Sequence, residues 1–215
     1  EVRGAGLVFL CNPNNPTGHV HGKAAVERFI TAVLAADPEV VILVDEAYHE
    51  FVDDPSYASA LPIVASQPRV FVSRTFSKIY GLAGLRVGYA FGQPATLERM
   101  AAHRVSNGVG ALAQVAAVAA LADTAQMARE QQLNREARAY TARVFTDLGY
   151  QVIPSQTNFV FVNVRRDALA FQAACRAEGL IVGRAFPPMT QWSRVSIGTM
   201  DEMRRAAPAF RKLLG

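Results

Sequence analysis

The feature that most constrains this chain is an uninterrupted apolar run, VVILV, at residues 40–44. Four of these five residues are β-branched, and β-branched residues favour extended backbone. A strand that is apolar on both faces has to be covered on both faces, as the strands of parallel sheets are. The run therefore predicts a buried strand in an α/β domain, where helices cover a sheet.

The sequence around this run alternates between strand-like and helix-like patterns. Between residues 26 and 34 apolar side chains recur at helical spacing, and the Asp37-Pro38 pair ends the pattern. Short apolar runs predict three further strands, at residues 7–10, 70–73 and 87–91. Strands that alternate with helices are joined by right-handed crossovers, which place neighbouring strands parallel. The first part of the chain therefore predicts a mostly parallel sheet.

From residue 94 onward the pattern changes. Helical spacing of apolar residues predicts helices at 97–103 and 112–122, and then a long amphipathic helix at 133–148 that Gly149 ends. Short apolar runs predict four strands, at residues 152–153, 158–164, 180–182 and 195–197. Two amphipathic stretches predict helices, at 167–178 and 201–214. We therefore predict an α/β portion over residues 1–125, a connecting long helix over 126–148 and a small C-terminal α+β domain over 149–215.

Composition limits the classes of function. A hydrophobic share of 51% with 19% charged residues is ordinary for a globular protein with a sizeable core. The net charge of +4 is scattered, and no basic run is interleaved with aromatic residues, so we expect no nucleic-acid binding. The four histidines form no HExxH motif and no cluster with cysteine, so no metal site is predicted. No apolar stretch reaches the roughly 18 residues of a membrane span, so we expect no membrane association.

The two cysteines, Cys11 and Cys175, are too few for a disulfide framework. Both lie in apolar surroundings, which predicts buried, reduced thiols in a reducing compartment, the cytoplasm. The sequence begins without methionine and soon enters a strand-like run. We therefore expect the natural N-terminus, with any targeting segment, to lie outside it.

Side chains suited to cofactor chemistry follow the strand predicted at residues 70–73. Lys78 offers an amine for a Schiff base with an aldehyde. Thr75, Ser77 and Arg86, spaced by glycines, suit a doubly charged phosphate, because arginine presents a rigid fork of donors. Pyridoxal phosphate (PLP) needs both an amine for its aldehyde and an anion site for its phosphate. The stretch therefore indicates a PLP site, and ordinary loop cations near a helix end are the alternative interpretation.

Two other strand ends carry complementary groups, and ligands of open α/β sheets bind beyond the carboxyl ends of the strands. Asp45 follows the run at 40–44, and its carboxylate requires a cationic partner such as a protonated pyridine nitrogen. Tyr48 and Asn15 are candidate hydrogen-bond donors to the ring hydroxyl. Ala47 is small enough for a flat ring to lie against the chain. Three strand ends thus offer groups that fit one cofactor.

Each of these residues also has a purely structural interpretation. Asp45 and Glu46 are a typical pair for a helix N-cap, and Tyr48 is a typical core aromatic residue. The segment at 12–18 is rich in asparagine and proline, which are more often present for turn geometry than for catalysis. The joint occurrence at three successive strand ends favours the cofactor site.

Three motifs carry a resemblance to a known family: NPNNPTG at 12–18, DEAY at 45–48, and SK at 77–78 followed by GLRVG at 84–88. In order and spacing they resemble the fold-type I PLP-dependent aminotransferases of class I/II. Within these, the chain is most similar to the histidinol-phosphate aminotransferase-like branch, and the resemblance covers almost all of it. The resemblance implies that residues 1–125 are the C-terminal portion of the PLP-binding large domain.

The resemblance also implies residue roles. Lys78 forms the internal aldimine, and Asp45 pairs with the pyridine nitrogen. Asn15 and Tyr48 hydrogen-bond the ring hydroxyl, while Thr75, Ser77 and Arg86 contribute to the phosphate site. The motifs TNF at 157–159 and SRVSIGT at 193–199 match the small domain of the family. They make Arg194, with Asn15, the group expected to bind the substrate, and burying an arginine without an anion is costly in any case.

The implied activity is ping-pong amino transfer between an amino donor, such as histidinol phosphate or an aromatic amino acid, and a 2-oxo acid. The bulky stretch GRAFPPMTQW at 183–192 leaves the donor open. A PLP-dependent decarboxylase or lyase of the same fold is an alternative, and so is a non-catalytic partial chain, since we expect an N-terminal half to be missing. Members of the family are usually homodimers, which we carry over as an implication.

Overall fold

The structure is a computed structural model and describes residues 2–103, 105 and 108–215. The chain comprises two compact units. The first contains Glu1–Pro13 and Val20–Met127, and the second contains Asn14–His19 and Ala128–Gly215. The segment between residues 14 and 19 therefore belongs with the second half of the chain, although it directly follows the first strand.

The first unit is built on a four-stranded sheet in the order β1-β2-β3-β4. Its strands are β1 (Leu7–Cys11), β2 (Val41–Asp45), β3 (Val70–Thr75) and β4 (Gly88–Phe91). The pairs β1–β2 and β2–β3 are parallel, whereas β3–β4 is antiparallel. The predicted strands and the mostly parallel α/β sheet are confirmed. The antiparallel edge arises because residues 76–87 lead back alongside β3 with no crossover α-helix.

Helices follow the strands of the first unit: α1 (Lys23–Ala36), α2 (Leu61–Val64), α3 (Pro94–Ala101) and α4 (Ala111–Ala122). Helix α1 buries Val26, Ile30 and Val33 at helical spacing, as the sequence pattern predicts. These residues belong to the core that also contains the buried residues of β2 and β3 (Ile42, Val44, Val70 and Val72). The apolar run at 40–44 is therefore the centre of this unit.

The second unit carries an antiparallel sheet of β5 (Gln151–Ile153), β6 (Phe159–Asn163) and β7 (Trp192–Ser196), in that order. Its helices are α5 (Thr124–Thr146), which begins within the first unit's residues, α6 (Ala168–Ala177) and α7 (Met200–Leu214). Strand β6 and the helices share a core that includes Phe145, Phe171 and Phe210. Asp167 caps α6, and Thr199 with Glu202 forms a capping box at α7. These elements form the predicted α+β architecture.

Two expectations are wrong. Residues 180–182 form no strand. The chain turns at Gly179, and Gly183 N–H then donates to the Arg194 carbonyl at one point, 2.8 Å away, instead of starting a ladder. Cys11 is half-buried, because β1 leaves one of its faces exposed, whereas Cys175 is buried as expected. Among the described residues no single helix is long and apolar enough to cross a membrane. Helices α4 and α5, which are bent by 78° at the break between them, together meet the length and composition of a membrane span.

The core of the second unit generates a stability prediction. Phe171→Ala should destabilise the protein by about 3–5 kcal/mol, because it removes a fully buried ring and leaves a cavity. Leu169→Ala on the same helix is the control, since Leu169 is largely exposed and should cost less than about 0.5 kcal/mol. Urea denaturation midpoints measure both changes. Equal losses would contradict this placement of the core.

Candidate active site

A cavity of about 520 Å³ lies where β2 and β3 end, in the first unit. Because these two strands are parallel, their carboxyl ends meet at the same edge of the sheet, which is where ligands of α/β sheets bind. The lining residues include six predicted from the sequence: Asp45, Ala47, Thr75, Ser77, Lys78 and Arg86. The other lining residues are Ser73, Arg74, Ala83, Val87 and Gly88. The size lies within the usual range of roughly 300–1,000 Å³ for small-molecule sites.

The acidic group of the cavity is held by the neighbouring strand. Asp45 is the last residue of β2 and pairs in register with Ser73 of β3. The Ser73 hydroxyl donates to Asp45 Oδ1 over 3.0 Å. Sequence reasoning did not assign Ser73 a role. The parallel register is the signal that identifies it, because it places a hydroxyl directly opposite the carboxylate.

The turn after β3 arranges the residues predicted to bind phosphate. The Ser77 N–H donates to the Thr75 hydroxyl over 3.0 Å, which closes the start of the turn. Arg86 adopts a left-handed conformation with φ 53°. From there its Nη1 donates to the Ala83 carbonyl at 2.8 Å and lies 3.5 Å from the Ser77 hydroxyl. A guanidinium and hydroxyls that line one cavity are a donor set suited to an anion, so the phosphate site stays a prediction.

The predicted amine and the predicted aromatic residue lie together. Lys78 Nζ is 5.2 Å from the centre of the Tyr48 ring, a distance at which an ammonium group is attracted to the ring face. Tyr48 is buried, with 4% of its surface exposed. Its structural interpretation as a core aromatic residue therefore holds, and its expected hydrogen bond to the cofactor's ring hydroxyl stays a prediction.

A buried acid behind the cavity was missed by sequence reasoning. Glu46 is 1% exposed, and its Oε2 accepts from both Nε and Nη2 of Arg74, at 3.0 and 2.8 Å. The Ser59 hydroxyl also donates to Oε2, and the Ala60 N–H donates to Oε1. The helix-cap interpretation of Asp45 and Glu46 is wrong for Asp45, which ends a strand and accepts from Ser73. The sequence signal that could have separated the two residues is that successive side chains of an extended chain point to opposite sides, so Asp45 and Glu46 cannot share one site.

Other titratable groups surround Glu46. Burial lowers the pKa of His49, and the charge of Arg74 lowers it further against the opposing effect of Glu46. Burial also raises the pKa of Tyr57, whose hydroxyl lies 3.0 Å from His49 Nδ1, and the pKa of Glu50. The main cause is the same for all three groups, because burial disfavours the charged form of each.

The two residues expected to bind the substrate meet in the second unit. Arg194 Nη1 donates to Asn15 Oδ1 over 2.7 Å. The Arg194 guanidinium also lies 5.0 and 5.2 Å from the centres of the Phe159 and Phe186 rings. Asn15 is therefore in contact with Arg194. Its expected hydrogen bond to the ring hydroxyl of the cofactor stays a prediction.

The segment at 12–18 is a tight turn, as its structural interpretation requires. Its backbone closes through the Gly18 N–H, which donates to the Asn14 carbonyl over 2.8 Å. Gly18 has φ 75°, and a Cβ there would meet the Ser155 side chain at 2.3 Å. Glycine is therefore required by both backbone conformation and space. The turn also presents Asn15 to Arg194, so the geometric and functional interpretations apply together.

Fold and cavity together define a class: an α/β protein with a small-molecule site at the carboxyl ends of its parallel strands. The described residues contain no group of three or more potential metal ligands. The lining combines an amine, a carboxylate, hydroxyls and a guanidinium. Such a donor set suits an organic cofactor that carries a phosphate.

The particular family follows from comparison with known proteins. The family model for aminotransferase class I and II matches residues 2–210. The chain is 41% identical to a histidinol-phosphate aminotransferase from Moorella thermoacetica, over 97% of this chain and 54% of the relative. It is 42% identical to an aromatic amino acid aminotransferase from Mycobacteroides abscessus, over 91% of this chain and 54% of the relative.

A solved structure agrees. The histidinol-phosphate aminotransferase from Sinorhizobium meliloti, in complex with pyridoxal-5'-phosphate, superposes with a TM-score of 0.84 at 30% identity, over 97% of this chain and 58% of that chain. The chain therefore belongs to the class I and II aminotransferase family, and the resemblance seen in the sequence is confirmed. It spans about half the length of the relatives it matches.

The close approach of β4 to β3 at the cavity generates a second prediction. A Cβ on Gly88 would lie 2.9 Å from the Arg74 carbonyl oxygen, and this backbone atom cannot move aside cheaply. Gly88→Ala should therefore destabilise the protein by about 1–3 kcal/mol. Gly84→Ala is the matched control, because a Cβ at Gly84 meets open space. If denaturation midpoints show the two variants to be equally stable, the β3–β4 register at this point is incorrect.

Proposed function

We propose that this chain is part of a PLP-dependent aminotransferase that moves an amino group between an amino donor and a 2-oxo acid. The observation that carries the proposal is the cavity at the ends of β2 and β3. There a lysine amine, an aspartate and an arginine–hydroxyl anion site line one space in a chain of the aminotransferase family.

The residues of the cavity fit PLP group by group. The cofactor, when bound, supplies an aldehyde for an amine and a ring that withdraws electrons from the substrate Cα. Asp45, oriented by the Ser73 hydroxyl, would hold a proton on the ring nitrogen. Thr75, Ser77 and Arg86 would bind the phosphate. Ala47 provides a small surface at the cavity wall.

Lys78 carries two tasks in this proposal. Its amine would hold the cofactor's aldehyde, and as general base and acid it would accept and return the substrate Cα proton. The Tyr48 ring beside Nζ limits where the amine can lie. An amino donor and a 2-oxo acid would use the same groups in turn, which gives ping-pong kinetics.

The second unit supplies the proposed substrate contacts. The planar guanidinium of Arg194 is suited to a carboxylate or a phosphate, and its Nη1 donates a hydrogen bond to Asn15 Oδ1. The rings of Phe159 and Phe186 pack against the guanidinium itself and so help to orient it. Histidinol phosphate and aromatic amino acids are the proposed donors because the two relatives are named for them. A homodimer is the proposed assembly, as the resemblance implies.

Lys78 generates the decisive test of the reaction. Lys78→Ala in the natural full-length protein should lower amino transfer by about 10²–10⁴-fold, because it removes the general base and acid. Borohydride reduction with PLP should label Lys78. Lys23→Ala is the control, since Lys23 is an exposed helix residue. Wild-type turnover in Lys78→Ala would end the assignment, and release of CO₂ instead of a 2-oxo acid would favour the decarboxylase alternative.

Arg194 generates a prediction about substrate binding. Arg194→Lys keeps the charge and loses the planar fork, so the KM for the amino donor should rise by roughly tenfold or more while PLP affinity stays unchanged. Arg184→Lys, in the same unit, tests whether any nearby arginine has this effect. Steady-state kinetics and a PLP titration measure the two quantities. An unchanged KM in Arg194→Lys would remove Arg194 from the substrate site.

A further inference from the structure

Among the described residues, Glu46 and Arg74 form an ion pair beside the cavity that is buried at Glu46 and half-buried at Arg74, and the proposed reaction has no use for it. The side chains are 1% and 14% exposed, and two nitrogens of Arg74 donate to Oε2 of Glu46. Arg74 itself lines the cavity. Burial lowers the pKa of Arg74, but the hydrogen bond and charge of Glu46 outweigh it and raise this pKa overall.

The position of this pair relates it to the chemistry. Glu46 directly follows Asp45, and Arg74 precedes Lys78 by four residues. The register pairs Asp45 with Ser73, and the Glu46 N–H donates to the Ser73 carbonyl over 2.9 Å. Beyond this point β2 has ended, whereas β3 continues to Thr75, paired with β4, before the turn that carries Lys78. The side-chain pair therefore joins the two chain segments just where backbone pairing between them stops.

The surroundings hold the pair in one geometry. Arg74 Nη2 also donates to the Ser59 hydroxyl, 2.9 Å away, and the same hydroxyl donates to Glu46. The Ala60 N–H, at the start of α2, donates to the other carboxylate oxygen over 2.7 Å. Each partner thus has several fixed contacts. In a site with little water such a network is rigid.

Stabilisation of the fold does not by itself explain why an ion pair is present at this position. Removing two charges from water costs several kcal/mol per ion, and replacing a buried pair by uncharged residues is often neutral or stabilising. Placement is a better reason, because a shift of about 1 Å in a reacting group can cost roughly 10²-fold in rate. The segments joined here carry the carboxylate and the amine of the site.

We propose that the Glu46–Arg74 pair is a positioning device that fixes the distance between Asp45 and Lys78 across the cavity. The inference rests on the proposed function, since it assigns the pair a role toward the same cofactor. Glu46 is not among the lining residues and Arg74 is, and the proposal assigns neither of them a contact with the reacting atoms. They act by fixing the strand ends that carry Asp45 and Lys78.

The chain contains a matched control at the other end of the same strand. Arg69 immediately precedes β3, and its guanidinium donates to the carbonyl and the carboxylate of Glu39, just before β2. This pair uses the same residue types and joins the same two strands. It is far more exposed, since Glu39 is 80% exposed, and neither residue lines the cavity.

The experiment compares the double variant Glu46→Gln/Arg74→Met with Glu39→Gln/Arg69→Met in the natural full-length protein. Glutamine keeps an acceptor for the Ala60 N–H, and no buried charge is left alone. For the first variant, PLP affinity of the apoprotein and kcat should each fall about tenfold, with the donor KM within about twofold of wild type. The control variant should match wild type in all three quantities. Thermal unfolding of each apoprotein verifies the fold.

Arg74→Lys provides the graded case. It keeps the positive charge but cannot form the two-nitrogen fork, so its kcat should lie between wild type and the double variant. If the double variant does not fold, Arg74→Lys decides the question alone, and a wild-type kcat there overturns the proposal. A folded double variant with wild-type PLP affinity and kcat overturns it too, as does an equal loss in the control variant. If unmodified protein binds no PLP, the proposed function fails first and the inference fails with it.

Discussion

The parallel register of β2 and β3 is the constraint on which the rest of the site depends. It sets Asp45 opposite Ser73 and brings both strands to an end at one edge of the sheet. The buried residues of these strands pack with α1, so neither strand can slip by one residue without turning apolar side chains toward water. The location of the cavity therefore follows from the core beneath it.

Burial of polar groups then decides what the strand ends can do. Asp45 and Glu46 are adjacent in sequence, but their side chains lie in different surroundings, because successive side chains of an extended chain point to opposite sides. Asp45 lines the cavity, whereas Glu46 is enclosed by Arg74, Ser59 and Ala60. One carboxylate is left to meet a ligand, and the other is neutralised inside the protein.

Sequence reasoning succeeded where a pattern has one structural solution. The β-branched run and the helical spacing after it have such a solution, and the predicted strands and helices around them were found. It failed at residues 180–182, because an apolar run is necessary for a strand but a neighbour must also pair with it along its length. It assigned Asn15 both to the ring hydroxyl and, with Arg194, to the substrate. The structure places Asn15 in contact with Arg194, and the contact with the ring hydroxyl stays a prediction.

The sequence by itself determined the fold class, the family and six of the residues that line the cavity, because apolar periodicity and motif spacing are properties of the chain alone. Only the tertiary structure decided which polar residues meet. Ser73 with Asp45, Arg74 with Glu46 and Asn15 with Arg194 are separated by 28, 28 and 179 positions. Contacts over such separations depend on strand register and on packing, and no local pattern in a single sequence encodes them.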